Sequence, residues 1–137
     1  MDKKKLQEKY VELQLISMQI KQFEEQLSII DQKSAELENL RVALHKLHEI
    51  KPGTKSLVPV GPGIFASGTI EKTDVVLLNV GAGIIVSKTT HEAEESISKQ
   101  LEQLEDIVLE LSHHLKEYAA KAQAVEAEIN NLAITEK

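Results

Sequence analysis

The residues whose types and spacing could do chemistry fall into three groups. The first is a phrase that occurs twice, VGPGIFAS at 60–67 and VGAGIIVS at 80–87. Val60, Gly61, Gly63, Ile64 and Ser67 recur as Val80, Gly81, Gly83, Ile84 and Ser87. A Gly-x-Gly turn can cradle a phosphate when it opens a helix whose first N–H groups face the anion. Here Gly81-Ala82-Gly83 lacks a third glycine and runs into Ile84-Ile85-Val86, a strand signal, and no Gly-Lys-Ser/Thr occurs. The phosphate reading fails.

The second group is the five histidines. His45 and His48 are spaced to share a helix face, His113 and His114 point about 100° apart on a helix, and His91 sits in a helix cap. With no cysteine and no His-Glu-x-x-His motif, they read as solvated or seam-edge side chains and not as metal ligands. The third group is the acid pairs Glu24-Glu25 and Glu94-Glu95. Neighbours on a helix are solvated charges, not a general acid and base held across a cleft. No serine has a plausible base. The expectation is no enzyme, no cofactor and no metal.

The elements that would position these residues form three segments, and 137 residues suit one domain over 1–137. Residues 3–51 carry Leu6, Leu13, Ile20 and Leu27 on one seven-residue line. Ile16, Phe23, Ile30, Leu37 and Leu44 make a second line, offset by three. That is the a/d pattern of a coiled coil. Lys9, Ser34, Arg41 and His48 interrupt it, and Leu40 and Leu47 predict a sideways drift of the stripe. Pro52-Gly53 ends the helix. Residues 89–135 alternate +4 and +3 without a break, from Ile97 through Leu101, Leu104, Val108, Leu111, Leu115, Tyr118, Ala122, Val125 and Ile129 to Leu132. Thr89 and Glu92 fit a capping box at its start. Each helix of roughly 45 residues is about 65 Å long at 1.5 Å per residue. Burying one apolar seam against the other predicts an antiparallel helical hairpin.

Residues 54–88 hold SLVPV, IFASGTI, VVLLNV and IIVSK, separated by GPG, EKTD and GAG. These are strand and turn signals and predict two β-hairpins, so the duplicated phrase marks a duplicated hairpin. Val58, Val60, Ile64, Phe65, Ile70, Val76, Leu78, Ile84 and Val86 then need cover that four short strands do not provide. Open edges invite other chains to pair. The segment reads as an assembly module. The fold class is mainly α with a small β region.

Charge and composition narrow the partners. Residues 1–51 hold nine basic and nine acidic residues, 52–90 three and two, and 91–137 four and eleven, so the net charge of −6 lies in the last third. Nucleic-acid binding needs clustered basic charge, so no nucleic acid is expected. The N-terminus MDKKKLQEKY does not read as a secretory signal, and Val75–Val86 is too short for a span. No membrane contact is expected, and the protein is expected to be cytoplasmic.

Two helices of this kind joined by two hairpins resemble the α class of the prefoldin family of co-chaperones. The likeness is carried by SLVPVGPGIFASGTIEKTDVVLLNVGAGIIVSKTTHEAEESI over 56–97. LVPVGPG at 57–63, VGAGIIV at 80–86 and the Thr89-x-x-Glu92-Ala93 helix opening are most telling. The resemblance implies a hetero-hexamer of two α and four β-class subunits, whose hairpins build a β-barrel platform. It implies capture of unfolded polypeptide clients at coiled-coil tips and transfer to a group II chaperonin, without ATP. A gamma-type relative forms filaments, and a tethering scaffold would share the helices. In a helical hairpin both chain ends lie at the tip, which puts Leu6, Tyr10, Leu13, Ile16, Val125, Ile129, Leu132 and Ile134 in the expected client-binding region.

Overall fold

The computed structural model describes residues 2–135. Met1, Glu136 and Lys137, at the ends of the expected domain, lie outside the described residues. In chain order the elements are α1 (Asp2–Leu47), β1 (Thr54–Gly61), β2 (Ile64–Ile70), β3 (Val75–Asn79), β4 (Ile85–Thr89) and α2 (Thr90–Thr135). The chain divides into two compact units. Among the described residues, a terminal unit comprises 2–33 and 103–135, and a hairpin unit comprises Ser34–Glu102.

In the hairpin unit α1 stops at Leu47, four residues before the expected end at Lys51. The reason is local. His48, Glu49 and Ile50 donate their N–H groups to the carbonyls of His45, Lys46 and Leu47, three residues back, at 3.2, 3.0 and 3.2 Å. These tighter turns satisfy the last carbonyls of the helix. Pro52 has no N–H to continue the ladder and pushes Lys51 out of the helical region. Gly53, at φ 90°, then turns the chain, and its N–H donates to the Ile70 carbonyl at 2.7 Å.

The strands form two separate two-stranded antiparallel sheets, β1 with β2 and β3 with β4. In the first, Leu57 faces Ser67 and Val58 faces Ala66, with a bulge at Val60 between Pro59 and Gly61. In the second, Val76 pairs with Lys88, Leu77 with Ser87 and Leu78 with Val86. Both hairpins lie where the duplicated phrase puts them, but the two turns differ. Between Gly61 and Ile64 the central residues are Pro62 and Gly63, with positive φ at Gly63 alone (73°). That is the signature of a type II turn. Between Gly81 and Ile84 the central residues are Ala82 and Gly83, at φ 52° and 74°, closed by Ile84 N–H donating to the Gly81 carbonyl at 3.0 Å. Two positive φ values make a type I′ turn. Proline cannot take a positive φ, so one shared phrase folds in two ways.

The start of α2 is fixed twice. Glu92 N–H donates to the Thr89 hydroxyl at 3.0 Å, the N-cap expected from the sequence. Thr90 is fully buried; its N–H donates to the Asp74 carbonyl at 2.9 Å and its hydroxyl to the Thr73 carbonyl at 2.8 Å. The helix is thereby tied to the β2–β3 connection. Leu37, Leu44, Ala93 and Ile97 are the buried apolar residues of this unit. Leu40 stays exposed, so the expected drift of the stripe reaches only Leu47, which is half-buried.

In the terminal unit Ile16, Val125 and Ile129 form the buried cluster, with Leu6, Leu13, Ile20, Tyr118 and Ala122 packed against it. Phe23 stacks on His114 and meets Tyr118 at a tilt, both at 5.4 Å between ring centroids. Lys9 meets Glu128 while Phe23 meets Tyr118, so α1 and α2 run antiparallel here.

Candidate functional site

Two regions present surface with a use. The first is the pair of hairpins. Of the nine strand residues expected to need cover, Val58, Val60, Ile64, Phe65 and Ile84 are exposed, and Ile70, Val76, Leu78 and Val86 are half-buried. Leu57, Leu77, Val80 and Ile85 belong with them and are exposed, Leu77 at 74%. Leu77 and Ile85 lie on the opposite face of the second hairpin from Val76, Leu78 and Val86, because strand side chains alternate. Both faces of that hairpin are therefore apolar. The signal was present in the unbroken VVLL and GIIV runs, which mark strands buried on both faces. Gly68 allows the first hairpin its close cross-strand contact: a Cβ there would lie 3.0 Å from Val58 Cγ2.

The second region is the terminal unit. Ile16, Val125 and Ile129 are buried there, Val125 at 4% exposure, and Leu6, Leu13 and Leu132 are half-buried. Tyr10 and Ile134 are the two expected residues that are open to solvent, Ile134 at 70%. The seam thus divides into side chains that hold the helices together and side chains that face outward. Lys9, which breaks the heptad on α1, is not idle. Its Nζ lies 2.5 Å from Glu128 on α2 and 3.2 Å from Glu12 on its own helix. The hydrogen bonds that the ammonium donates to Glu128 and then to Glu12 hold its pKa above the ordinary lysine value, against the opposing effect of desolvation.

A further set escaped the heptad reading. Val11, Leu15, Met18 and Ile29 on α1 are exposed, at heptad positions c and f, opposite the seam. A search for a/d positions passes over them; the spacing 11, 15, 18 is the same +4/+3 pattern displaced around the helix.

Of the histidines, His114 stacks on Phe23, and His48, in the turn after α1, places Nε2 2.7 Å from Glu94 Oε1 on α2 within the hairpin unit, while His91 and His113 are exposed. Among the described residues no group of three or more His, Cys, Asp or Glu is placed to hold a metal ion. No helix among them is long and apolar enough to cross a membrane. What the two regions offer is binding surface: strands with open edges, and apolar side chains on helices.

Known proteins share this arrangement. The Prefoldin family, described as prefoldin subunit, matches residues 16–135. A prefoldin subunit alpha of Methanobrevibacter smithii is 30% identical over 110 residues, covering 80% of this chain and 75% of that protein. One from Pyrococcus horikoshii is 29% identical over 133 residues, covering 90% and 88%. Among solved structures, a cryo-EM structure of filamentous PFD from Methanocaldococcus jannaschii superposes with a TM-score of 0.71 at 27% identity, covering 84% of this chain and 95% of that one. Two long helices around two small antiparallel hairpins, together with a family match across most of the sequence, lead to one conclusion: the chain belongs to the prefoldin family, as an alpha-type subunit.

Proposed function

We propose that this chain is a subunit of an ATP-independent co-chaperone that assembles through its β-hairpins and holds non-native polypeptides on the helices of its terminal unit. The observation that carries the reading is the exposure of large apolar side chains on both hairpins, Leu57, Phe65, Leu77 and Ile85 among them. Isolated two-stranded hairpins are marginal in water, and apolar strands with free edges gain most by completing a sheet with another chain. The partners that fit are β-class prefoldin subunits in a two-alpha, four-beta hexamer, with the hairpins closing a β-barrel platform. Such a complex repeats the terminal unit, so weak contacts add by avidity. Each apolar side chain that buries about 80–100 Å² contributes roughly 2 kcal/mol at ~25 cal/mol/Å². Leu6, Tyr10, Leu13, Ile16, Val125, Ile129, Leu132 and Ile134 are the proposed client region, with Tyr10 and Ile134 accessible without any opening. Delivery to a group II chaperonin in the cytoplasm completes the proposal.

A filament of gamma type is the second reading, favoured by the likeness to the filamentous PFD of Methanocaldococcus jannaschii. Native mass with and without a β-class subunit separates the two: a defined six-chain complex supports the first, and open-ended self-association the second. Deleting residues 124–137 should leave assembly intact and weaken capture of a denatured client. Collapse of the assembly would contradict the placement of the client region.

A further inference from the structure

We infer that Lys88, on the outer edge of β4, selects the assembly partner by charge: it accepts a strand of a different chain that carries a carboxylate opposite it, and it rejects a second copy of this chain. The inference rests on the assembly role proposed above and names the chemistry of the partner which that role requires.

Lys88 pairs with Val76 across the second hairpin, and Val86 pairs with Leu78 two residues nearer the turn, so the four side chains share one face. Lys88 is half-buried on that otherwise apolar face. Its ammonium makes no ion pair and no hydrogen bond with the described residues. Asp74, before β3, and Glu92, in the first turn of α2, are not paired with it. In the free chain a lysine so placed lays its methylene stem on the apolar surface and keeps its head in water. A strand laid along β4 removes that water, and a covered ammonium is costly without an anion beside it.

The edge is open to such a strand. β4 pairs only with β3, in an unbroken register, and contains no proline. β1, in the first hairpin, is blunted by Pro59 and by the bulge at Val60. On a strand added antiparallel to β4, the side chain directly opposite Lys88 stands about 4.5–5.5 Å away between Cβ atoms. At that separation opposite charges stabilise the pairing and like charges oppose it.

This chain does not hold the carboxylate in any strand. Its four strands contain two lysines, Lys55 and Lys88, and no aspartate or glutamate. Two copies of β4 paired antiparallel about the middle residue, Ser87, would set the two Lys88 side chains diagonally across from each other. That separation is about 7–8 Å, within reach of long side chains. Lysine on an edge strand guards against self-pairing, and repulsion of the wrong partner is one of the two sources of specificity. The occupant is therefore a chain of different sequence with Asp or Glu on its pairing strand.

The test uses the full-length chain and a β-class prefoldin subunit chosen for an acidic residue in a hairpin strand. Binding is measured by sedimentation at low and at high salt. Lys88→Glu should weaken binding about tenfold or more at low salt, with helix content unchanged, while Lys88→Arg binds as the unaltered chain does. Exchanging the partner's acid for lysine should restore binding to the Lys88→Glu variant, and high salt should shrink every difference. Lys88→Leu, without a partner, should self-associate where the unaltered chain does not. Equal affinity of Lys88→Glu and the unaltered chain overturns the inference and leaves the assembly role standing. Weaker binding that the exchanged partner does not restore also overturns it, because the loss is then one of folding or packing. Open-ended self-association of the unaltered chain overturns the rejection of a second copy. Failure of the unaltered chain to bind the β-class subunit overturns the assembly role itself.

Discussion

Lys9 on α1 reaches Glu128 on α2, with Nζ 2.5 Å from Oε2, at a position where the heptad calls for an apolar side chain. The pair puts a charged contact between α1 and α2 in the terminal unit, which also holds the Ile16–Val125–Ile129 cluster. The hydrogen bonds that Lys9 donates to Glu128 and Glu12 raise the lysine pKa above its ordinary value of 10.5. A raised folded-state pKa adds stability that is fully present below 10.5 and is lost as pH rises through the folded value. Lys9→Met should therefore abolish one alkaline component of helix melting. The two proteins, followed by circular dichroism from pH 9 upward, should differ in slope only above about pH 10. Parallel curves would mean that the pair contributes nothing.

Ala82 carries a φ of 52° in the second hairpin turn, where an alanine is strained. Ala82→Gly should stabilise the protein by about 1 kcal/mol. Ala82→Pro, copying Pro62 of the first turn, should cost about 2–3 kcal/mol or break the hairpin, since proline excludes a positive φ. Denaturant midpoints at constant m-value read both effects. A neutral Ala82→Pro would show that the two turns are interchangeable.

Thr90 is the single fully buried polar side chain among the described residues. Thr90→Val keeps the shape and removes the hydroxyl, leaving the Thr73 carbonyl without that donor. The expected loss is about 1–3 kcal/mol. Thr89→Ala, which removes the cap on Glu92 N–H, should cost about 1 kcal/mol. The midpoints of thermal unfolding should fall for both variants; an unchanged midpoint for Thr90→Val contradicts the role given to this tether.

The sequence made the strands legible because their borders are written in local chemistry. Ile64–Ile70 was readable to the residue between Gly63 and Glu71, whereas the runs at 56–60, 75–80 and 84–88 fold as strands over Thr54–Gly61, Val75–Asn79 and Ile85–Thr89, one or two residues off at their ends. The helix seams were legible for the same reason, and every apolar heptad residue from Leu6 to Leu44 is buried or half-buried. Three things were not. Thr90 owes its importance to Thr73 and Asp74, partners that no local pattern names. The two turns look alike in sequence because five positions match, yet the one between the glycines, Pro62 against Ala82, decides the backbone. The stripe at Val11, Leu15 and Met18 was hidden by a stronger pattern on the same helix, which the eye assigns to the seam first.

Ile84 is exposed at the edge of the second turn and Val86 is half-buried in β4. If these strands complete a sheet shared between subunits, a buried carboxylate at either position is costly. Ile84→Asp and Val86→Asp should each lower the native mass of the assembly while leaving the helix content of the chain in place. A native mass unchanged in both variants would falsify the platform.

The central claim, an oligomer that holds non-native chains without nucleotide, is tested most directly by native mass spectrometry. The chain is mixed with a β-class prefoldin subunit and a denatured client, with no ATP present. The account predicts two copies of this chain with four partner subunits, and the same complex carrying one client. Separate monomers beside free client would contradict it.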